Sequence, residues 1–308
     1  MSVKTMNTEE IQSFLKKIAG MDNSVGDERL KKIVHRVVGD LFQTIEDFDV
    51  TPEEFWGAVY YINNLGKNDE AALLAPGLGF DHYLDIRLDA LDAQAGIEGG
   101  TPRTIEGPLY VAGAPISDGY ARMDDGTVES ETMIFTGVVT DEKGQPLKDA
   151  IVDIWHADVK GRYSYFDDTQ SEYNLRRRIK TDSEGRYTVR SYVPSGYGCP
   201  PDGSTQRLLD QIGRHGQRPA HIHFFITKPG YRHLTSQINI AGDKYTYDDF
   251  AFATRDELVV EKQPVKAGPN PWGIEGDYSK LEFNITLVTS PDESAQERHA
   301  RVRALETA

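Results

Sequence analysis

His221 and His223 are two positions apart in the run RHGQRPAHIHFF, Arg214 to Phe225. In an extended strand, side chains two positions apart point the same way, so the two imidazoles can share one ion. Two histidines on a strand also make an ordinary polar face, so the pair by itself is half of a metal site. The remaining donors have to come from elsewhere. The sequence holds a single cysteine, Cys199, which excludes thiolate clusters and an internal disulfide framework and leaves nitrogen and oxygen donors. Asp, Glu, further His and Tyr are the candidates. Two tyrosines stand out: Tyr163 in GRYSYFD, just after a predicted strand, and Tyr197 in VPSGYGCPPDG, a Gly- and Pro-rich loop that holds a side chain in place. Each alone is equally consistent with packing.

The elements that must position these residues fall into two textures. From Asn7 to Gly100 the pattern is helical. Asn7 with Glu10 gives a capping signal, and Ile11, Phe14, Leu15 and Ile18 follow at helical spacing until Gly20. A second helix carries Leu30, Ile33, Val34, Val37, Val38, Leu41, Phe42 and Ile45, a stripe too broad for one small neighbour. That breadth suits either a bundle core or a partner surface. Thr51, Pro52 and Glu54 supply an N-cap, an N1 proline and a capping-box acid for a third helix through Trp56, Tyr60 and Ile62 to about Leu65. Two further helical pieces lie between Ala71 and Ala95, separated at Pro76 and Gly77. The pair Gly99 and Gly100 ends this region, and Pro102, Pro108 and Pro115 mark an extended connector.

From Met133 the chain turns to short alternating runs. MIFTGVVT and AIVDIWHAD, joined by DEKGQP, read as a hairpin, and further strands are expected at Ile179–Thr181, Tyr187–Tyr192, His221–Thr227 and Ser236–Ile240. LEFNITLVT reads as the last strand, before a charged tail after Pro291. Regular strands without intervening helices argue for an α+β protein: an N-terminal helical domain followed by an antiparallel β-sandwich. The expected division is a helical domain at 1–100 and a sandwich domain at 101–308.

The net charge of −15 argues against nucleic acid or an anionic membrane surface as partner, since both reward clustered cations. No apolar run approaches a membrane span and no signal-peptide segment precedes the first helix, so no membrane insertion and a cytoplasmic location are expected.

Taken in order, GPLYVAGAP, DIWHAD, GRYSYFD, NLRRRIKTDSEGRY, VPSGYGCPPDG, RHGQRPAHIHFF, LTSQINIAGD and DDFAFATRD resemble the intradiol ring-cleaving catechol dioxygenases over nearly all of Thr101 to Arg255, and the helical region also looks like theirs. The resemblance implies a non-haem Fe(3+) cofactor held by Tyr163, Tyr197, His221 and His223. Phenolate is a hard anionic donor that suits Fe(III). Tyr197 would be the axial ligand that leaves as a neutral phenol when a catecholate binds, and Tyr163 would stay. Arg218 would stabilise negative charge on the substrate ring, with Gln237 as a hydrogen-bond partner.

Leu73, Pro76, Ile105, Pro108, Phe250 and Ala251 would line the substrate pocket. The bulk of Leu73 and Ile105 goes with plain catechol rather than chlorinated catechols. The implied reaction is cleavage of catechol by O₂ to cis,cis-muconate in aromatic degradation, with hydroxyquinol or chlorocatechol cleavage as the near alternatives. Further implications are a homodimer through the helical domain and a lipid-like molecule in an apolar tunnel at the dimer junction. GVVTDEKGQPLKDAIVDIW also resembles prealbumin-like modules, which leaves a non-catalytic β-sandwich binding module as the reading from a different class.

Overall fold

The computed structural model describes residues 4–126 and 130–290. The charged tail after Pro291 lies outside the described residues. By internal contacts the chain divides into two compact units, residues 1–67 and 68–308.

The first unit holds α1 (Glu9–Ile18), α2 (Glu28–Asp47) and α3 (Pro52–Lys67). The cap of α1 is Thr8, not Asn7. Its hydroxyl accepts from the Ile11 amide at 3.4 Å and donates to the Thr5 carbonyl at 2.8 Å, which leaves Glu10 one residue too early to close a box. At α3 the box forms as expected: Thr51 N–H donates to Glu54 Oε2 at 2.8 Å and Glu54 N–H donates to Thr51 Oγ1 at 3.2 Å. The broad stripe of α2 resolves into two seams. Val34, Val38 and Phe42 are half-buried, with Phe42 stacked on Phe14 at 6.3 Å. Leu30, Ile33, Val37, Leu41 and Ile45 are exposed.

The second unit begins with α4 (Ala71–Gly77) and α5 (Phe80–Gln94). Pro76 and Gly77 lie inside α4, contrary to the expected break; the chain turns instead at Gly79, whose φ of +77° only glycine adopts easily. Past the proline-rich connector come β1 (Ile116–Asp118), β2 (Tyr120–Arg122), β3 (Thr132–Thr140), β4 (Ile151–Trp155), β5 (Arg176–Lys180), β6 (Arg186–Tyr192) and β7 (Tyr197–Gly198). A helix the sequence reading missed, α6 (Ser204–Gln211), precedes β8 (Gln217–Arg218), β9 (His221–Thr227), β10 (Leu234–Ile240), β11 (Val259–Val260), β12 (Gln263–Val265), β13 (Tyr278–Glu282) and β14 (Ile285–Thr286).

One sheet runs β1-β5-β4-β9-β10-β11 and the other β12-β13-β3-β6-β2. The pairs β4–β5, β4–β9, β9–β10, β3–β6 and β12–β13 are antiparallel, while β1–β5, β2–β6, β10–β11, β3–β13 and β3–β14 are parallel. The expected hairpin of β3 and β4 does not exist, because both edges of β3 are taken by β6 and β13 and the chain crosses to the other sheet after the Asp141 turn. LEFNITLVT is likewise not one strand. It is interrupted at Phe283 and Asn284, whose carbonyl and side-chain oxygens accept from Tyr187 and Val138.

Apolar side chains of both sheets share one core, with Phe135, Tyr187 and Leu281 from one side and Val152, Ile154, Ile222 and Phe224 from the other. Along β9 the alternation is strict. Ile222, Phe224 and Ile226 enter this core, which leaves His221, His223 and Phe225 on the opposite face.

Candidate metal centre and substrate cavity

Strand register brings the candidate side chains together. On β9, His223 stands opposite Gln237 of β10 and Trp155 of β4. In the two-stranded ribbon, Tyr197 of β7 stands opposite Arg218 of β8. Tyr163 comes from the loop after β4, where Asp158 Oδ1 accepts from the Lys160 and Arg162 amides at 2.8 Å and closes a tight turn. Gly161 in that turn has φ +77°, and a Cβ there would stand 2.5 Å from Tyr197 Cβ. The two tyrosine segments therefore touch at a point where no side chain fits.

The polar tips converge on His221 Nε2. It lies 3.1 Å from His223 Nε2, 3.4 Å from Tyr163 Oη and 3.5 Å from Tyr197 Oη, and the two phenol oxygens are 3.4 Å apart. His221 Nδ1 lies 2.6 Å from the Pro219 carbonyl. A carbonyl only accepts, so Nδ1 carries the proton and Nε2 presents a lone pair. Burial, and then the Arg218 charge, push His221 down to about 3; burial, His221 and Arg218 hold His223 well below its ordinary range. Both imidazoles are neutral, and the His221 Nε2 lone pair accepts from Arg218 Nη1 at 3.1 Å, a bond that a cation bound there would replace. Burial drives the Tyr163 phenol well up, so its ionisation requires a cation beside it.

Two imidazole nitrogens 3.1 Å apart, with two phenol oxygens alongside, make a crowded set of donors that a bound cation would reconcile. His223 Nδ1 is buried without a hydrogen-bond partner among the described residues. No cluster of three or more His, Cys, Asp or Glu able to hold a metal occurs among the described residues. An ion at the histidine pair therefore depends on the tyrosines, and two neutral nitrogens with two phenolates suit a hard trivalent ion.

Tyr163, Tyr197 and Arg218 also form part of the wall of a cavity of about 530 Å³. Leu73, Pro76, Ile105, Pro108, Phe250 and Ala251 all line it; His221, His223 and Gln237 do not. Gln237 instead accepts from Arg218 Nη2 at 2.8 Å and donates to Asn239 Oδ1 at 2.6 Å. Cys199 is in the wall, its thiol pushed up to about 11 by burial and by Glu70.

The family model described as Dioxygenase matches residues 105–289, and the one described as Catechol dioxygenase N terminus matches residues 27–96. The chain belongs to the intradiol dioxygenase family. It is 54% identical over 301 residues to the catechol 1,2-dioxygenase of Pseudomonas sp. (strain EST1001), a match that covers 97% of this chain and 100% of that one. It is also 54% identical to the catechol 1,2-dioxygenase of Acinetobacter baylyi, with 95% and 96% covered. The crystal structure of catechol 1,2-dioxygenase from Pseudomonas arvilla C-1 superposes with a TM-score of 0.94 at 55% identity, covering 99% of both chains. Among the described residues no helix is long and apolar enough to cross a membrane.

Three residues beside this intradiol dioxygenase site were given no role by sequence reasoning, although all fall within the family motifs. Asp249 pairs with Arg218 through Nε at 3.2 Å and Nη2 at 3.1 Å, both groups buried. Burial opposes the charge of each, and their mutual attraction outweighs it, holding the arginine up and the carboxyl down. Arg176, fully buried, donates to Ser164 Oγ and to the Ser164 carbonyl, both at 3.0 Å, and lies over the Tyr163 ring. Trp155 stacks on His223 with rings 4.9 Å apart and 6° from parallel. Each acts through tertiary contact, which no spacing in the sequence reveals.

Proposed function

We propose that this chain is a catechol 1,2-dioxygenase that uses O₂ and a resident non-haem Fe(III) to cleave catechol between its hydroxyl-bearing carbons, giving cis,cis-muconate. The observation that carries the reading is the convergence of two phenols and two neutral imidazoles, with donor atoms 3.1 to 3.5 Å apart, at the wall of an apolar cavity large enough for one aromatic ring. The names of the relatives agree with it. Bound there, the ferric ion would chelate catechol as its dianion and activate it toward O₂.

The protein's own residues divide the remaining work. Tyr163, His221 and His223 are buried and stay in place. Tyr197 is only half-buried and faces the cavity. It would therefore be the oxygen that takes one of the two protons of entering catechol and withdraws, the other proton passing to hydroxide, so that the charge of the site stays in balance. Arg218, fixed by Asp249 and Gln237, presents a permanent cation to negative charge growing on the ring. Leu73, Pro76, Ile105, Pro108, Phe250 and Ala251 exclude water and set the shape, and the bulk of Leu73 and Ile105 favours catechol over chlorinated catechols.

Residues 101–308 carry catalysis. Residues 1–100 supply part of the pocket wall and would supply the contact for a homodimer and a lipid-like molecule at its junction, a reading supported by the exposed apolar seam of α2. The enzyme works in the cytoplasm. A non-catalytic binding module has no use for four converging donors beside a ring-sized cavity.

The deciding experiment is a visible spectrum of the iron-loaded protein before and after adding catechol without oxygen. A red to purple tyrosinate band that shifts on adding catechol is expected, and Tyr163→Phe should bleach it or lose the iron. A colourless protein at full ferric occupancy would overturn the reading. Turnover of hydroxyquinol but not catechol would change the substrate and leave the centre intact.

A further inference from the structure

We propose that Arg214 is a positioning residue that sets the width of the substrate cavity by tying its two apolar walls together; this rests on the cavity being the catechol site. Arg214 opens the run that ends in the histidine pair, yet it touches none of the donor atoms. Its guanidinium donates through Nη1 to the Gly77 carbonyl at 2.6 Å and through Nη2 to the Phe250 carbonyl at 3.0 Å. Gly77 is the last residue of α4, and its carbonyl is one that a helix end leaves without an internal partner.

The first wall is α4, with Leu73 and Pro76, and the second is the segment of Phe250 and Ala251. These walls already meet where Gly77 faces the Phe250 ring: a Cβ on Gly77 would stand 3.1 Å from Phe250 Cε2. The guanidinium also lies over the Phe252 ring, 4.7 Å from its centre. Phe252 holds φ +57°, a conformation that a bulky side chain keeps only when its surroundings support it. Arg214 is itself anchored, its amide donating to the Leu209 carbonyl at 2.8 Å, and the Phe250 amide donates to the Gln217 carbonyl at 3.0 Å. One planar fork thus fixes both sides of the cavity to the segment that carries Arg218.

A lysine offers one rotatable charge in place of a fork and cannot hold two carbonyls in the same geometry. Arg214→Ala and Arg214→Lys are compared with the wild type by anaerobic calorimetric titration with catechol and with 4-tert-butylcatechol, with iron content and thermal midpoint measured alongside. In Arg214→Ala the ratio of the two dissociation constants should move about fivefold or more toward the bulkier ligand, as expected when a pocket loses about a methyl group's worth of fit. Arg214→Lys should move it part of the way, and iron content should not change. In turnover the loss should fall on KM for catechol rather than on kcat. A lowered thermal midpoint with an unchanged ratio in both variants would reduce Arg214 to a stabilising contact and overturn the proposal. If Arg214→Ala fails to fold, the lysine variant decides. A wild type that binds catechol without cleaving it would defeat the assigned reaction, while the ratio would still judge the clamp.

Discussion

His156, in the DIWHAD run, is buried like His221 and His223, and its fate separates a structural histidine from a ligating one. Both its nitrogens have partners outside the site, the Ala157 carbonyl at 2.7 Å and Ser191 Oγ at 2.8 Å, whereas His223 keeps an unpartnered nitrogen and His221 turns Nε2 toward Arg218, His223 and the two phenols. Burial pushes His156 down to about 4. A histidine whose folded pKa lies below its unfolded value binds its proton mainly on unfolding. The stability it protects is present above about pH 6.5 and is lost as pH falls toward the folded pKa. Metal-free protein should therefore lose on the order of 1.4 kcal/mol per pH unit for each such histidine as the pH drops below about 6.5. Asp153, raised to about 7 by burial despite its bond from Tyr110, runs the other way and cancels part of this. Thermal midpoints of chelator-treated protein between pH 7 and 4 measure the net effect, and a midpoint that rises on acidification would contradict it. At this scale the four side chains that converge were legible, because an HxH strand and a fixed tyrosine are local features. The partner of Arg218 was not, since Asp249 is distant in sequence and reaches it only after folding.

At the scale of elements, capping chemistry placed α3 and hydrophobic periodicity placed α2, because both signals are local. The hairpin assignment failed for the same reason. A turn such as Asp141–Gln145 reports that the chain reverses but not which sheet receives the next strand, and that choice depended on β6 and β13. α6 is short and lies between Gly-rich loops, so its periodicity was too brief to read. The contact of the two tyrosine segments at Gly161 gives a prediction. Gly161→Ala adds an atom where 2.5 Å separates it from Tyr197 Cβ, at a φ that costs an L-residue about 1–2 kcal/mol. It should lower ferric ion affinity roughly 10- to 100-fold, the range seen when the support of a ligand is disturbed. Competition with a ferric chelator measures this, and unchanged affinity would mean that the loop gives way without moving Tyr197.

Across the whole molecule, the exposed seam of α2 departs from an ordinary surface. Leu30, Ile33, Val37 and Leu41 are more than 40% exposed along one helix face, and contiguous apolar surface of this kind marks an interaction site. Val37→Glu combined with Leu41→Glu should convert a dimer to monomer in light scattering coupled to gel filtration. A wild type that is monomeric, or a double variant that stays dimeric, would remove this seam as the contact. The breadth of the stripe was visible in the sequence, while its division into a packed and an open seam needed the neighbour α1.

The four donors, Arg218 with its partners, and every cavity residue lie beyond Lys67, outside the first compact unit. If copies of the chain meet through α2, substitutions in residues 1–67 would change that contact while leaving every side chain that lines the cavity as it is. Assembly and chemistry would then be free to diverge at different rates within one gene, and a lineage could change its company while keeping its reaction.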